Sequence, residues 1–292
     1  MAIRTWITGA RVRTLPLAVA PILLGSATAS TIDRFDLLLS LLALSVALLL
    51  QIGVNYANDY SDGIRGTDNE RVGPTRLTGS GLARPEAVKR AAFFSFGAAA
   101  LAGLAIVFLT QQWWLLAIGL VAIVAAWFYT GGKQPYGYYG LGELAVFVFF
   151  GLVATVGTNY IQTLLIDPLA VLLGATFGLY ASAVLLVNNI RDIETDQKAG
   201  KRTLAVMLGH KPSKTLFILL IWLPVAINLL LVLFYPATIL GLFNLLLLLP
   251  ITLIIMESRR SGELITALKL TSLAGLGFAA LVGLGIYLVN FF

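Results

Sequence analysis

The sequence predicts an all-α integral membrane protein with nine transmembrane helices, and three observations carry that reading. Hydrophobic residues make up 59% of the chain and charged residues only 12%, about half the charged share of a soluble globule. Mean hydropathy is +0.90. Apolar windows long enough to cross a bilayer, roughly twenty residues each, recur along all 292 residues with only short polar stretches between them.

The windows fall at residues 14–31, 35–57, 90–110, 113–130, 141–163, 168–190, 214–234, 236–256 and 267–290. The basic start, with Arg4, Arg11 and Arg13 ahead of an apolar run and Ala27-Thr28-Ala29, superficially matches a removable signal. Pro16 and Pro21 interrupt that run, and eight further windows make such a signal unnecessary. Residues 1–13 therefore read as an interfacial basic segment with Trp6 at headgroup depth. The chain reads as one membrane domain, 1–292, carrying two Asp-rich loops at 58–85 and 191–212.

The net charge of +6 would suggest a nucleic-acid partner in a soluble chain, but its placement argues against one here. Nineteen of the twenty Lys and Arg lie at the N-terminus or after the second, fourth, sixth and eighth windows; only Arg34 lies on the other side. The positive-inside rule then puts the N-terminus and the even-numbered loops in the cytoplasm and the chain in the cytoplasmic (inner) membrane. With no cysteine, disulfides, thiolate nucleophiles and zinc–thiolate sites are excluded. The one histidine, His210, sits in a basic loop and reads as solvated.

Six of the fourteen acids fall in two short segments, NYANDYSDGIRGTD (55–68) and NNIRDIETD (188–196), each directly following an apolar window. Steps of three or four join Asn55, Asp59 and Asp62 in the first and Asn188, Asp192 and Asp196 in the second, which stacks side chains on one helical face. Glu194 lies off that face. Gathered carboxylates repel: two unit charges about 5 Å apart at an effective dielectric near 20 cost ~3 kcal/mol. A multivalent cation relieves the conflict. Oxygen donors without His or Cys select Mg²⁺, which commonly takes one or two carboxylates and completes its shell with substrate phosphates. Asp59, Asp62, Asp68, Asp192 and Asp196 are the candidate ligands, and metal–diphosphate is the natural guest.

A diphosphate also needs cationic and N–H donors, and Arg65, Arg76, Arg191, Lys201 and Arg202 surround the same segments. GPTRLTGSG (73–81) adds hydroxyls, Ser80 among them, and glycines that let backbone amides approach a phosphate. The loop from Tyr129 to Glu143 carries Lys133, Tyr136, Tyr138 and Tyr139; its tyrosines read either as an interfacial belt or as substrate contacts. Glu143 opens the fifth window, where a carboxylate near hydrocarbon points to function.

At these residues the chain resembles the UbiA superfamily of intramembrane aromatic prenyltransferases, whose hallmark is two Asp-rich motifs after the second and sixth of nine helices. The likeness is carried by WITGARVRTLPLAVAPILLG (6–25), the two acidic segments, GPTRLTGSG, YTGGKQPYGYYGLGELAVFVFFG (129–151) and NNIRDIETDQKAGKRTLAVMLG (188–209). The GLGE and AGKRTLAV blocks look like the naphthoate branch of the superfamily. The resemblance implies transfer of a polyprenyl group from polyprenyl diphosphate to 1,4-dihydroxy-2-naphthoate, with loss of diphosphate and CO₂, in menaquinone biosynthesis. It implies two Mg²⁺ ions bridging the diphosphate, with Asp59, Asp62, Asp192, Asp196, Arg76 and Lys201 as catalytic residues. It further implies substrate contacts at Asn55, Asn58, Arg65, Ser80, Tyr129, Lys133, Tyr139, Glu143, Asn188, Asn189, Arg191 and Arg202, and a site open sideways to membrane lipid. Two alternatives stay open: another acceptor such as 4-hydroxybenzoate, or an ion-coupled transporter, since intramembrane carboxylates and Gly/Pro-broken helices are also transporter features.

Overall fold

The computed structural model describes residues 3–67, 75–258 and 261–291, and these are helical with no strand among them. An amphipathic helix α1 (Ile3–Ala10) meets α2 (Pro16–Ser30) at a bend of 50°. The joint is Arg11, a non-glycine residue in the left-handed region (φ 52°, ψ 59°), followed by Pro16 at a helix start, where its missing N–H costs nothing. Trp6 packs edge-on against Tyr56, ring centres 5.7 Å apart, so the interfacial segment is docked onto the bundle.

Then follow α3 (Leu37–Arg65), α4 (Pro85–Thr110), α5 (Leu115–Phe128), α6 (Gly142–Thr163), α7 (Pro168–Arg191), two short helices α8 (Ile193–Lys198) and α9 (Leu204–Leu208), α10 (His210–Leu231), α11 (Pro236–Glu257) and α12 (Glu263–Tyr287). Among the described residues seven of these are long and apolar enough to span a membrane; the bent α1–α2 pair adds an eighth, and α5 has only 14 residues. All nine apolar windows are thus helical, though nine full-length spans are not reached. Caps sit where the sequence supplies them: Asp36 accepts from the Leu39 amide and Asp167 from the Leu169 amide, both at 2.9 Å.

Burial separates a central helix from the periphery. The apolar window of α7 is 72% buried and that of α3 only 17%. Around α7 packs the largest core cluster, with Phe177, Tyr180, Leu186, Phe217 and Phe278 almost fully covered. Phe94, Leu233, Phe234 and Leu246 are in contrast more than 70% exposed, a burden in water but the proper surface toward lipid tails. Buried amides cross-link the helices, as Asn159 to Thr28 and Asn244 to Tyr180, each at 2.9 Å.

Helix α6 is irregular: residues Phe147–Val153 form a π-helical stretch. Its Gly151 faces Gly174 and Gly178 of α7 so closely that an added Cβ would stand 2.6 Å from the Gly174 carbonyl oxygen. The two backbones touch there, fixing α6 against the central helix.

Candidate active site

The acidic motifs meet at one end of the bundle. α3 continues past the apolar window to Arg65, so Asp59 and Asp62 stand on its last turns. α7 ends at Arg191, and the backbone breaks at Asp192 (φ −99°, ψ 8°) before α8 carries Asp196. The second motif is therefore a helix end and a short helix, not one continuous face, although the Asp196 amide still donates to the Asp192 carbonyl at 2.8 Å.

Asp62 is the hub. Tyr138 Oη donates to its Oδ1 at 2.6 Å, Lys201 Nζ lies 3.3 Å from Oδ2, and Arg76 Nη2 lies 4.0 Å from the same oxygen. Lys201 also reaches Asp196 Oδ1 at 3.9 Å and sits 4.7 Å above the Tyr138 ring. One ammonium thus links the first motif to the second. Asp59, 1% exposed, accepts from the backbone amides of Leu77 at Oδ2 and Thr78 at Oδ1, both at 2.8 Å, and so pins the loop that carries Arg76. Arg191 forks onto Asp192 with bonds of 2.7 and 2.6 Å. Burial and the Asp62 carboxylate push the Tyr138 phenol above its ordinary range, and burial pushes Tyr136 up to about 12. Both phenols stay protonated at neutral pH, and Tyr138 is a hydrogen-bond donor.

These side chains close the polar end of a cavity of about 630 Å³. Of the residues singled out in the sequence, Asn55, Asn58, Asp62, Arg76, Tyr129, Asn188, Asn189, Asp192, Asp196 and Lys201 line it. Asp59 and Arg191 instead face an adjoining pocket of about 40 Å³, shared with Arg11, Arg13 and Arg76. Arg65 lies outside, donating to the carbonyls of Thr130 and Gly132; Ser80 donates to the Arg76 carbonyl. Lys133, Tyr139 and Arg202 are exposed and off the cavity wall, though the Arg202 amide ties its loop to the Tyr138 carbonyl at 2.9 Å. Glu143 is buried behind the wall and accepts from Asn189 Nδ2 at 2.9 Å. Asp68 lies outside the described residues.

Sequence reasoning missed Arg11, Thr14 and Thr203, which also line the cavity. Arg11 was legible only as a surface charge; its left-handed backbone turns it inward. Thr14 accepts from Gln51 and Asn55, at 3.1 and 3.3 Å.

The rest of the wall is apolar. On α6 it includes Ala145, Phe149, Val153, Gly157 and Ile161, a strict step of four. In an α-helix each such step overshoots a turn by about 40°, so four steps would swing Ile161 ~160° away from Ala145. The wider π turn, about 4.4 residues, takes back roughly 18° per residue and keeps the stripe facing the cavity.

The donor set suits a hard cation shared with a ligand. Among the described residues no three carboxylate or imidazole groups converge as an all-protein cage. Asp62 and Asp196 nonetheless face one cation already, the Lys201 ammonium, with the Arg76 guanidinium beside Asp62. That is the pattern of a site completed by phosphate oxygens.

Comparison with known proteins agrees with this architecture. A UbiA homolog from Aeropyrum pernix K1 superposes with a TM-score of 0.69 at 16% identity, covering 100% of both chains. A UbiA homolog from Archaeoglobus fulgidus, solved with GPP and Mg²⁺, gives 0.67 at 14% identity, covering 95% of this chain and 99% of that one. In sequence, the chain is 47% identical over 277 residues to the 1,4-dihydroxy-2-naphthoate octaprenyltransferase of Mycobacterium tuberculosis, covering 95% of this chain and 94% of the relative. It is 42% identical to the Escherichia coli protein of the same description, over 71% of this chain and 69% of that one. The UbiA prenyltransferase family pattern matches residues 18–273, a stretch that holds both Asp-bearing helix ends and most of the cavity wall, and the chain belongs to that family.

Proposed function

We propose that the protein transfers a polyprenyl group from polyprenyl diphosphate to 1,4-dihydroxy-2-naphthoate in menaquinone biosynthesis. The observation that carries this reading is a cavity with Asp62, Asp196, Lys201 and Arg76 at one end and an otherwise apolar wall, a shape for a long apolar chain with an anionic head. Relatives described as naphthoate octaprenyltransferases, 42–52% identical, support the choice of acceptor.

In this reading Lys201 and Arg76 would hold the diphosphate oxygens, and Asp62, Asp192 and Asp196 would hold Mg²⁺. When bound, Mg²⁺ supplies neutralisation of the charge growing on the leaving diphosphate. Tyr138 orients Asp62 by donating to its Oδ1. The prenyl C–O bond breaks, the electron-rich ring carbon bearing the carboxylate bonds to the prenyl carbon, and the carboxylate leaves as CO₂. The ring regains aromaticity without losing a ring proton, so no strong general base is required. A tail of many CH₂ groups, each worth ~0.8 kcal/mol in lipid, stays in the membrane while its head reaches the polar end.

The test is turnover by purified protein in vesicles, with polyprenyl diphosphate and either dihydroxynaphthoate or 4-hydroxybenzoate, with Mg²⁺ and with chelator. Prenylated naphthoquinol and CO₂ from the first acceptor, dependent on Mg²⁺, are expected; product only from hydroxybenzoate would replace the acceptor.

We further propose that the polar end faces the cytoplasm, because the Lys and Arg cluster on that side. Cysteine replacing Arg34, exposed at the opposite end, should react with an impermeant thiol reagent in intact cells, and cysteine replacing the exposed Lys133 should not. The reverse labelling would invert the orientation.

A further inference from the structure

The cavity wall contains three glycines that no backbone or packing demand explains. Gly103 on α4, Gly119 on α5 and Gly157 on α6 all line it, and at each an added Cβ would meet no atom within 4 Å. None has a positive φ. At Gly25, Gly53 and Gly151, by contrast, a Cβ would collide with a neighbour at 2.6 Å or less. A glycine inside a helix is less stable than an alanine, so three of them around one void point to the void.

Their depth adds a second observation. Chain direction places the C-terminus of α5 and the N-termini of α4 and α6 at the polar end. Counting residues along each helix at about 1.5 Å, Gly119 lies ~15 Å from Tyr129, Gly157 roughly 20 Å from Glu143 and Gly103 ~27 Å from Pro85. All three sit in the deep, apolar half, far from any group that could handle phosphate or ring. Gly157 belongs to the α6 stripe that the π stretch keeps turned inward, so a side chain there would project into the cavity.

We infer that Gly103, Gly119 and Gly157 are specificity-determining positions for the donor: their missing side chains leave the deep cavity open to the distal isoprene units of a long polyprenyl chain. The inference rests on the donor reading proposed above. It concerns only how long a chain fits, because the head and first units lie nearer the charged end.

The test compares farnesyl and octaprenyl diphosphate as donors to dihydroxynaphthoate in vesicles. Gly157→Leu is expected to lower turnover with the octaprenyl donor at least about tenfold while leaving the farnesyl rate within about twofold, since a branched side chain fills the space of the distal units only. Gly119→Leu and Gly103→Leu should act in the same direction, and Gly157→Ala more weakly. Gly97→Leu, equally unobstructed but exposed on α4 outside the cavity, should change neither rate. If Gly157→Leu fails to insert, the Gly119→Leu and Gly157→Ala ratios decide. An unchanged octaprenyl-to-farnesyl ratio across the folded variants overturns the inference, as does a parallel loss of both donors. Wild-type protein that transfers neither donor would instead remove the functional reading.

Discussion

Asp62→Asn is expected to reduce turnover about 10²-fold or more at saturating substrates, with the protein still inserted and folded. The substitution preserves shape and can still accept the Tyr138 hydroxyl, but it removes the negative charge to which Lys201 and Arg76 are drawn. Without it the polar end holds an excess of cations, and one carboxylate fewer is available to a metal. The measurement is kcat with dihydroxynaphthoate and polyprenyl diphosphate over a Mg²⁺ titration. A rate near wild type at high Mg²⁺ would remove Asp62 from the centre of the site.

Asp59→Asn should be damaging for a different reason. Both Asp59 oxygens accept backbone amides, from Leu77 and Thr78, whereas an asparagine turns one of those positions into a donor facing a donor. Losing a charge-assisted bond of this kind costs about 1.5–3 kcal/mol, and a buried amide left unpaired adds to that. The loop that presents Arg76 would loosen, so we expect a lowered Tm together with a raised KM for the prenyl diphosphate and an unchanged Mg²⁺ requirement. A raised Mg²⁺ requirement with unchanged Tm would assign Asp59 to the metal, as its spacing in the sequence suggests, and not to the loop.

Much of the fold is legible in the sequence because a continuous apolar segment crossing lipid must satisfy its backbone within itself, as a helix does, and windows of about twenty apolar residues mark such helices. What composition cannot mark is where a helix stops. The apolar signal of α3 ends near residue 57, yet the helix continues to Arg65 because its last polar turns find partners in two loops. The π stretch of α6 is likewise silent, since Phe-Val-Phe-Phe reads as apolar under any period. At the site, the density of acids in two segments locates the charged end without any structure. It does not show that Lys201 bridges the motifs, which needs the loop after α8 to bring its ammonium to the end of α3. The tyrosine loop is the hardest part. A short 3-10 turn over Tyr136–Tyr139 sends Tyr138 to Asp62 and Tyr139 outward, and a glycine-rich loop gives no periodicity from which to read that split. Lys133 and Glu143, spaced like site residues in the sequence, lie off the cavity wall for the same reason.

The Lys201 bridge between Asp62 and Asp196 separates architecture from catalysis. The two motifs come from distant parts of the chain, and an empty cluster of carboxylates would push them apart. A tethered ammonium supplies that missing positive charge permanently, whatever the ionic supply of the cell. Removing a bound metal would then cost the fold only the stabilisation that the metal's own binding adds, with the two motifs still joined. If Lys201 holds the diphosphate as proposed, an incoming donor would compete with two carboxylates for the same ammonium, and their return to it would favour emptying the site of its inorganic product.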